Sequence, residues 1–141
     1  MKFLIAVDDT DASWDAARFA AELAGDDDEL IVVNVVGSIE PVAQIGSDLA
    51  VGAAGLVEVP TIDSRRAAIA RLRPLLDEIE PHDVHVTAGS VVGRILAVAE
   101  VEQPDMIVTG TRDQHAILRF LGGSVSQALV NDAPCPVLVV R

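Results

Sequence analysis

The stretch KFLIAVDDTDAS, from Lys2 to Ser13, predicts the fold class of this chain. Its first half, Lys2 to Val7, is an apolar segment, and its second half is an acidic turn that leads into a helical pattern. A continuous apolar run, unlike an alternating one, is typical of a strand buried on both faces of a parallel sheet. The stretch therefore predicts a strand, a short turn and a helix.

Four further apolar segments repeat this unit along the chain. They are Leu30 to Val36, Val84 to Thr87, Met106 to Gly110 and Pro136 to Val140. Helical patterns lie between them, at Ala12 to Leu23, Asp63 to Ile79, Val92 to Val101 and Ser124 to Val130. The first helix has Asp11 or Ser13 as its candidate N-cap. The alternation predicts an α/β fold, a parallel doubly wound sheet with helices on both faces.

Length and composition narrow the class of protein. A chain of 141 residues, half of them apolar, suits one compact domain spanning residues 1–141. It has no apolar run of the roughly 20 residues that a membrane span needs, so we expect a cytoplasmic protein with no membrane partner. Cys135 is the only cysteine, which excludes an internal disulfide and a cysteine-cluster metal site.

The charge balance is strongly acidic. The chain has 22 acidic and 10 basic residues, a formal net charge of -12. Nucleic acid is therefore not an expected partner, because binding phosphate backbones needs a basic face. This composition resembles that of proteins from salt-accumulating organisms, where a high charge maintains solubility and dissolved ions screen the repulsion. An ordinary acidic mesophilic protein is the alternative.

One connection is unusually long. Residues Gly37 to Pro60 separate the second strand from the second helix, whereas loops beyond about 12 to 15 residues without structure of their own are uncommon. The segment fits a short helix around Pro41 to Val51 that acts as a lid or partner surface, or a mobile linker.

The candidate chemistry lies where the strands end. Ligands of open parallel sheets bind at the carboxyl ends of the strands. Asp8, directly after the first strand, is a candidate to contact a base, a ribose or a hydrated cation, or it is a turn residue beside the first helix. Gly122, Gly123 and Ser124 precede the last helix and form a generic anion site.

Other chemistries find little support. His82, His85 and His115 lack metal-ligand spacing with one another, so we expect no metal site. No serine lies in a pattern typical of a catalytic triad. Cys135, between two prolines, is read as a small core residue.

Taken together, these pieces resemble the UspA-type universal stress protein family. The resemblance rests on FLIAVDDTDAS, LIVVNVV, GSVVGRILAVAEVEQPDMIVTGTR and the ending GGSVSQALVNDAPCPVLVVR, and it covers essentially the whole chain. It implies a five-stranded Rossmann-like sheet of order 3-2-1-4-5. It also implies a homodimer joined through the C-terminal strand, Val137 to Val140, which would hide an exposed edge.

The resemblance further implies a cleft for adenine nucleotide. Many family members bind ATP through the pattern G-x-x-G-x9-G-[S/T], and others lack the pattern and bind none. Gly110, Gly123 and Ser124 match this pattern, but Asp113 replaces its second glycine. The family's adenosine contacts carry over to Ala6, Asp8, Val35 and Val125, which largely have main-chain roles.

Asp113 is the main departure from the family pattern. A carboxylate about 5 Å from a phosphate costs on the order of 3 kcal/mol at an effective dielectric of about 20. Arg112, His115 and Arg119 nearby, a bridging divalent ion or molar salt would offset this cost.

Three functions follow as hypotheses. The first is a regulatory, non-catalytic stress protein that binds ATP, with Mg²⁺. The second is a nucleotide-free dimeric interaction or scaffold protein of the same fold. The third is an ATP-cleaving enzyme of the related adenine nucleotide hydrolase-like superfamily, which usually has an S-G-G-x-D-S loop after its first strand; VDDTDAS is not such a loop.

Overall fold

The strands and helices alternate along the chain as the apolar pattern predicts. The computed structural model describes residues 1–37, 59–111 and 125–141. The strands are β1 (Lys2–Ala6), β2 (Glu29–Val36), β3 (Asp83–Ala88), β4 (Met106–Gly110) and β5 (Val137–Val140). The helices are α1 (Asp11–Leu23), α2 (Ile62–Ile79), α3 (Val91–Glu102) and α4 (Val125–Asp132).

The bounds of these elements agree closely with the sequence prediction. The described ends lie within one residue of the predicted ones, except that α4 continues to Asp132 rather than ending at Val130. Ser124, where the last helix was predicted to begin, and the short helix suggested for Pro41 to Val51 lie outside the described residues.

All five strands pair in one parallel sheet of order β3-β2-β1-β4-β5. This order confirms the predicted Rossmann-like topology. From β1 the chain builds the sheet outward through β2 and β3, and then returns to add β4 and β5 on the other side. The carboxyl ends of β1 and β4 therefore border the point where the strand order reverses, which is where open α/β sheets bind ligands.

The sheet is buried on both faces, which explains its continuous apolar strands. On one face, Phe3 and Ile5 of β1 pack with residues of α1 and α2, such as Ala17 and Leu75. The other face has its own core, which joins the remaining strand positions to α3 and α4. Its fully or nearly buried members are Leu4, Ala6, Ile31, Val33, Ile95, Ala99, Ile107 and Leu129. Alternate side chains of each strand thus serve opposite cores.

The start of α1 corrects one prediction. Its N-cap is Thr10, not Asp11 or Ser13: Thr10 has an extended backbone (φ -106°, ψ 147°), and its side chain accepts a hydrogen bond from the Ser13 amide. Asp11 is instead the first helical residue, where its negative charge faces the positive end of the helix dipole.

In residues 1–37, 59–111 and 125–141, no helix is long and apolar enough to cross a bilayer.

Candidate functional site

A cleft of about 500 Å³ opens at the carboxyl ends of β1, β2 and β4. Pockets that bind small molecules typically have volumes of about 300 to 1,000 Å³. The described residues that line it come from the strand ends, the turn after β1, and the first residues of α1, α3 and α4. The cleft therefore lies at the point where the strand order reverses, with three helix N-termini beside it.

The floor and walls of this cleft are largely apolar. Val33 and Val35 of β2 lie beside Ile95 of α3 and Val125 of α4. Hydroxyl groups are interspersed among them, including that of Thr109, a residue that is only 5% exposed. Apolar walls with a few fixed polar groups suit a flat aromatic ring that also makes hydrogen bonds.

The turn after β1 is held by a compact hydrogen-bond network centred on Asp8. The Asp8 carboxylate oxygen Oδ1 accepts hydrogen bonds from the Thr10 amide, at 3.0 Å, and from the Thr10 hydroxyl. The Asp8 carbonyl accepts from the Ser13 hydroxyl at 3.1 Å and from the Trp14 indole at 3.0 Å. Asp8 is thus a turn residue and also lines the cleft with an exposed carboxylate.

Two buried polar side chains help to position this turn. Ser13, 6% exposed, also accepts a hydrogen bond from the Asp8 amide at 3.1 Å. Asn34 of β2, 6% exposed, donates to the Val7 carbonyl at 2.7 Å. The backbone that leaves β1 is therefore held from both α1 and β2.

Gly110 marks a close approach of two backbones at the cleft. A Cβ atom at this position would lie 2.1 Å from the Ala12 carbonyl oxygen and 2.8 Å from the Ser13 amide nitrogen. Such contacts are far inside van der Waals distance, so the first turn of α1 can pack on the end of β4 only if residue 110 has no side chain. The tertiary packing alone therefore requires this glycine.

The sequence model of the universal stress protein family matches residues 1–141. The chain belongs to the universal stress protein family. A universal stress protein of Methanocaldococcus jannaschii is 27% identical to it, over 99% of this chain and 81% of the relative.

Solved structures of universal stress proteins share the fold. One, in complex with cAMP, has a TM-score of 0.70 at 19% identity and is matched over 100% of this chain and 96% of its own. Another, from Arabidopsis thaliana with AMP bound, has a TM-score of 0.60 at 16% identity, over 99% of this chain and 90% of its own. At these identities the likeness establishes the fold.

In this universal stress protein, five of the eight predicted site residues line one cleft: Ala6, Asp8, Val35, Gly110 and Val125. The other three, Asp113, Gly123 and Ser124, lie outside the described residues. Their predicted roles toward phosphate therefore stay predictions.

The cleft also has lining residues that the sequence did not single out. Thr10, Thr109 and Ile95 are examples. In the sequence pattern, Thr109 and Ile95 are ordinary strand and helix residues. Only the packing of β4 and α3 brings them to the cleft. A signal for Thr10 was present, because it lies two residues after Asp8 in the acidic turn.

The amino ends of the strands have a different character. There Asp83, His85 and Glu102 bring three potential ligand atoms within 4.8 Å of one another. The spacing of the histidines with one another gave no sign of this cluster, because the two other ligand candidates are carboxylates that lie close to His85 in space. His82, by contrast, has a structural role, since its Nδ1 accepts a hydrogen bond from the Leu30 amide at 3.3 Å.

Cys135, just before β5, is only partly buried. It packs against the core beneath α3 and α4, which agrees in part with its interpretation as a small core residue. Burial raises the pKa of the Cys135 thiol, a hydrogen bond from the Ile107 backbone opposes this shift, and the Asp105 carboxylate adds to it. A raised pKa keeps the thiol protonated and unreactive near neutral pH.

Proposed function

We propose that this universal stress protein binds an adenine nucleotide in the cleft and acts as a regulatory, non-catalytic protein of the cytoplasm. The observation that carries the proposal is the cleft itself, which is largely apolar, has a volume of about 500 Å³ and lies where the strand order reverses. Its walls suit a purine ring, and the exposed Asp8 carboxylate suits the hydroxyls of a ribose. The family members solved with cAMP and with AMP support an adenine nucleotide over other flat ligands.

ATP with Mg²⁺ is the nucleotide we propose. The N-termini of α1, α3 and α4 lie beside the cleft, and helix N-termini favour anionic groups such as phosphates. Gly110 retains the first position of the family's ATP pattern, whereas Asp113 stands in place of the second glycine. We propose that the Asp113 carboxylate weakens ATP binding without abolishing it.

Calorimetric titration tests this proposal. ATP with Mg²⁺, AMP and cAMP are titrated separately into the chain at low and at multimolar KCl. We expect heat of binding and a thermal shift with at least one adenine nucleotide. The absence of both signals with all three ligands in both salts would overturn it.

The variant Asp113→Gly separates the nucleotides. It restores the family pattern and removes a negative charge, so we expect tighter ATP binding, by up to about a hundredfold. AMP affinity should change less, because AMP lacks the outer phosphates. An unchanged or weaker ATP affinity would show that Asp113 does not repel phosphate.

A second candidate function is a nucleotide-free interaction or scaffold protein of the same fold. Gly110 favours it, because the close approach of Ala12 explains this glycine without any ligand. The acidic Asp113 favours it as well. The same titrations decide between the candidates.

We also propose a homodimer joined through β5 and adapted to high salt. β5 is an edge strand of the sheet, and Val137 to Val140 are only half-buried in the single chain. The charge of -12 fits a salt-rich cytoplasm. Sedimentation in molar KCl should give the mass of two chains, and a monomer there would overturn the dimer.

Catalysis can be measured directly. As a non-catalytic protein, the chain should release phosphate from ATP no faster than buffer over several hours. Faster release would favour an ATP-cleaving enzyme of the related hydrolase-like superfamily.

A further inference from the structure

The cluster of Asp83, His85 and Glu102 lies toward the amino end of β3, at the opposite end of the strands from the cleft. Asp83 and His85 are two residues apart on β3 and so project from the same face of the sheet. Glu102 is the last residue of α3, which packs on that face. The fold thus brings together three side chains from two elements.

The His85 imidazole is the centre of this cluster. Its Nε2 atom lies 3.0 Å from Glu102 Oε1 and 3.5 Å from Asp83 Oδ2. In a tetrahedral zinc site, metal–ligand bonds of about 2.0 to 2.1 Å place neighbouring ligand atoms about 3.3 Å apart. The two distances lie on either side of this value, and all three ligand atoms lie within 4.8 Å of one another, so side-chain movements would complete the geometry.

We propose that Asp83, His85 and Glu102 bind a divalent transition-metal ion, with Zn²⁺ as the best match. One imidazole nitrogen and two carboxylate oxygens are ligands that zinc accepts, and they leave one tetrahedral position for water. The side chains of His85 and Glu102 are 30% and 20% exposed, and that of Asp83 is 63% exposed. An ion can therefore enter from solvent, and a water molecule can reach the fourth position.

Lys2 positions the Glu102 ligand. Its Nζ atom donates a hydrogen bond to the Glu102 carbonyl at 3.1 Å and lies 3.7 Å from Glu102 Oε2. The ammonium therefore contacts one carboxylate oxygen while the other, Oε1, faces His85. Lys2 also pairs with Glu29, at 3.5 Å.

The local charge favours a cation. Two carboxylates, those of Glu29 and Glu102, pair with the ammonium of Lys2, and a third, that of Asp83, lies beside His85. Glu102 also stands at the C-terminus of α3, where the helix dipole is negative. A divalent ion bound by His85 and the carboxylates would balance part of this charge.

Calorimetric titration of ZnCl₂ and CoCl₂ tests the site. The full chain is used without an affinity tag, after treatment with a chelator and with no nucleotide present, so that ATP-bound metal does not contribute. We expect one metal ion per chain. The cobalt complex should show d–d absorption without the intense charge-transfer band of a thiolate, which excludes Cys135 as a ligand.

Matched histidine variants decide the assignment. His85→Gln should weaken zinc binding by at least about tenfold. His82→Gln removes the same kind of side chain three positions away and should leave zinc affinity unchanged. If His85→Gln does not fold, Asp83→Asn replaces it, because that side chain is the most exposed of the three.

The outcomes are distinct. One ion per chain, lost in His85→Gln or Asp83→Asn and kept in His82→Gln, supports the site. No binding at millimolar zinc, or equal affinity in His85→Gln and His82→Gln, overturns it and leaves an ion pair only. Neither result depends on whether the cleft binds nucleotide.

Discussion

The two ends of the parallel strands differ sharply in chemistry, although one sheet forms both. At the carboxyl ends, apolar side chains such as Val35 and Ile95 line a cleft in which Asp8 supplies an exposed carboxylate. At the amino ends, Glu102 pairs with the Lys2 ammonium and contacts the His85 imidazole. One end suits a flat organic ligand, and the other suits a metal ion.

The direction of the helices explains much of this contrast. In a parallel sheet with crossover helices, each helix begins near the carboxyl end of one strand and ends near the amino end of the next. The positive ends of the helix dipoles therefore lie around the cleft, and their negative ends lie near the amino ends of the strands. An anionic nucleotide and a metal cation are each expected at the end whose dipoles favour them.

The largest expected effect comes from Gly110→Ala. The added Cβ would meet the Ala12 carbonyl at 2.1 Å, so α1 must move away from β4. We expect the free energy of unfolding to fall by about 3 kcal/mol or more, measured by urea denaturation.

Gly37→Ala is the matched control at the same cleft. A Cβ there would have nothing within 4 Å. The free energy of unfolding should therefore change by no more than about 0.5 kcal/mol. Similar losses in the two variants would contradict the close-packing role of Gly110.

Val35→Trp sharpens the comparison by filling the cleft. An indole ring would occupy the space proposed for adenine, so nucleotide affinity should fall at least tenfold, about 1.4 kcal/mol. The measurement is calorimetric titration, and Val101→Trp is the control, because Val101 is 76% exposed and does not line the cleft. Zinc affinity should be unchanged in both variants, and equal nucleotide affinities would argue against the cleft as the binding site.

Thr10→Ala tests whether the turn after β1 has a role beyond stability. It removes the α1 cap and the hydrogen bond from the Thr10 hydroxyl to Asp8, and it retains the one from the Thr10 backbone amide. Loss of an N-cap costs about 1 kcal/mol in unfolding experiments.

Thr61→Ala is the control, since Thr61 caps α2 by accepting from the Ser64 amide at 3.1 Å. Both variants should lose similar stability, and only Thr10→Ala should weaken nucleotide binding. Equal nucleotide affinities would assign Thr10 a purely structural role.

The smallest expected effect is on the alkylation rate of Cys135, which lies just before β5. Because burial raises the pKa of this thiol, iodoacetamide should alkylate the folded chain more slowly than the urea-unfolded chain at pH 8. The thiolate is the reactive form, so the difference should narrow as the pH rises past the thiol pKa. Equal rates at pH 8 would indicate that the thiol is not protected by the fold.

The sequence predicted most of the fold because its signals are local. The continuous apolar strands and intervening helical patterns recur as β1 to β5 and α1 to α4, nearly to the residue. The N-cap of α1 was misassigned because several capping residues stand side by side in DDTDAS. Only backbone conformation and the hydrogen bond to Ser13 distinguish Thr10 from its neighbours.

The candidate sites were less predictable because they join residues from distant parts of the chain. Family resemblance pointed to Ala6, Asp8 and Val35, but the reason for Gly110 emerged only from its distance to Ala12. The sequence does not indicate the cluster around His85, because Glu102 is 17 residues away from His85. No short spacing rule connects them.

By itself, the sequence determined the order of strands and helices, the burial of the sheet on both faces and the excess of negative charge, since composition and short-range periodicity encode these properties. The tertiary structure alone decided which polar groups meet. Folding brings the turn after β1 against β4 and the end of α3 against β3, and contacts between such segments depend on packing that no local pattern records.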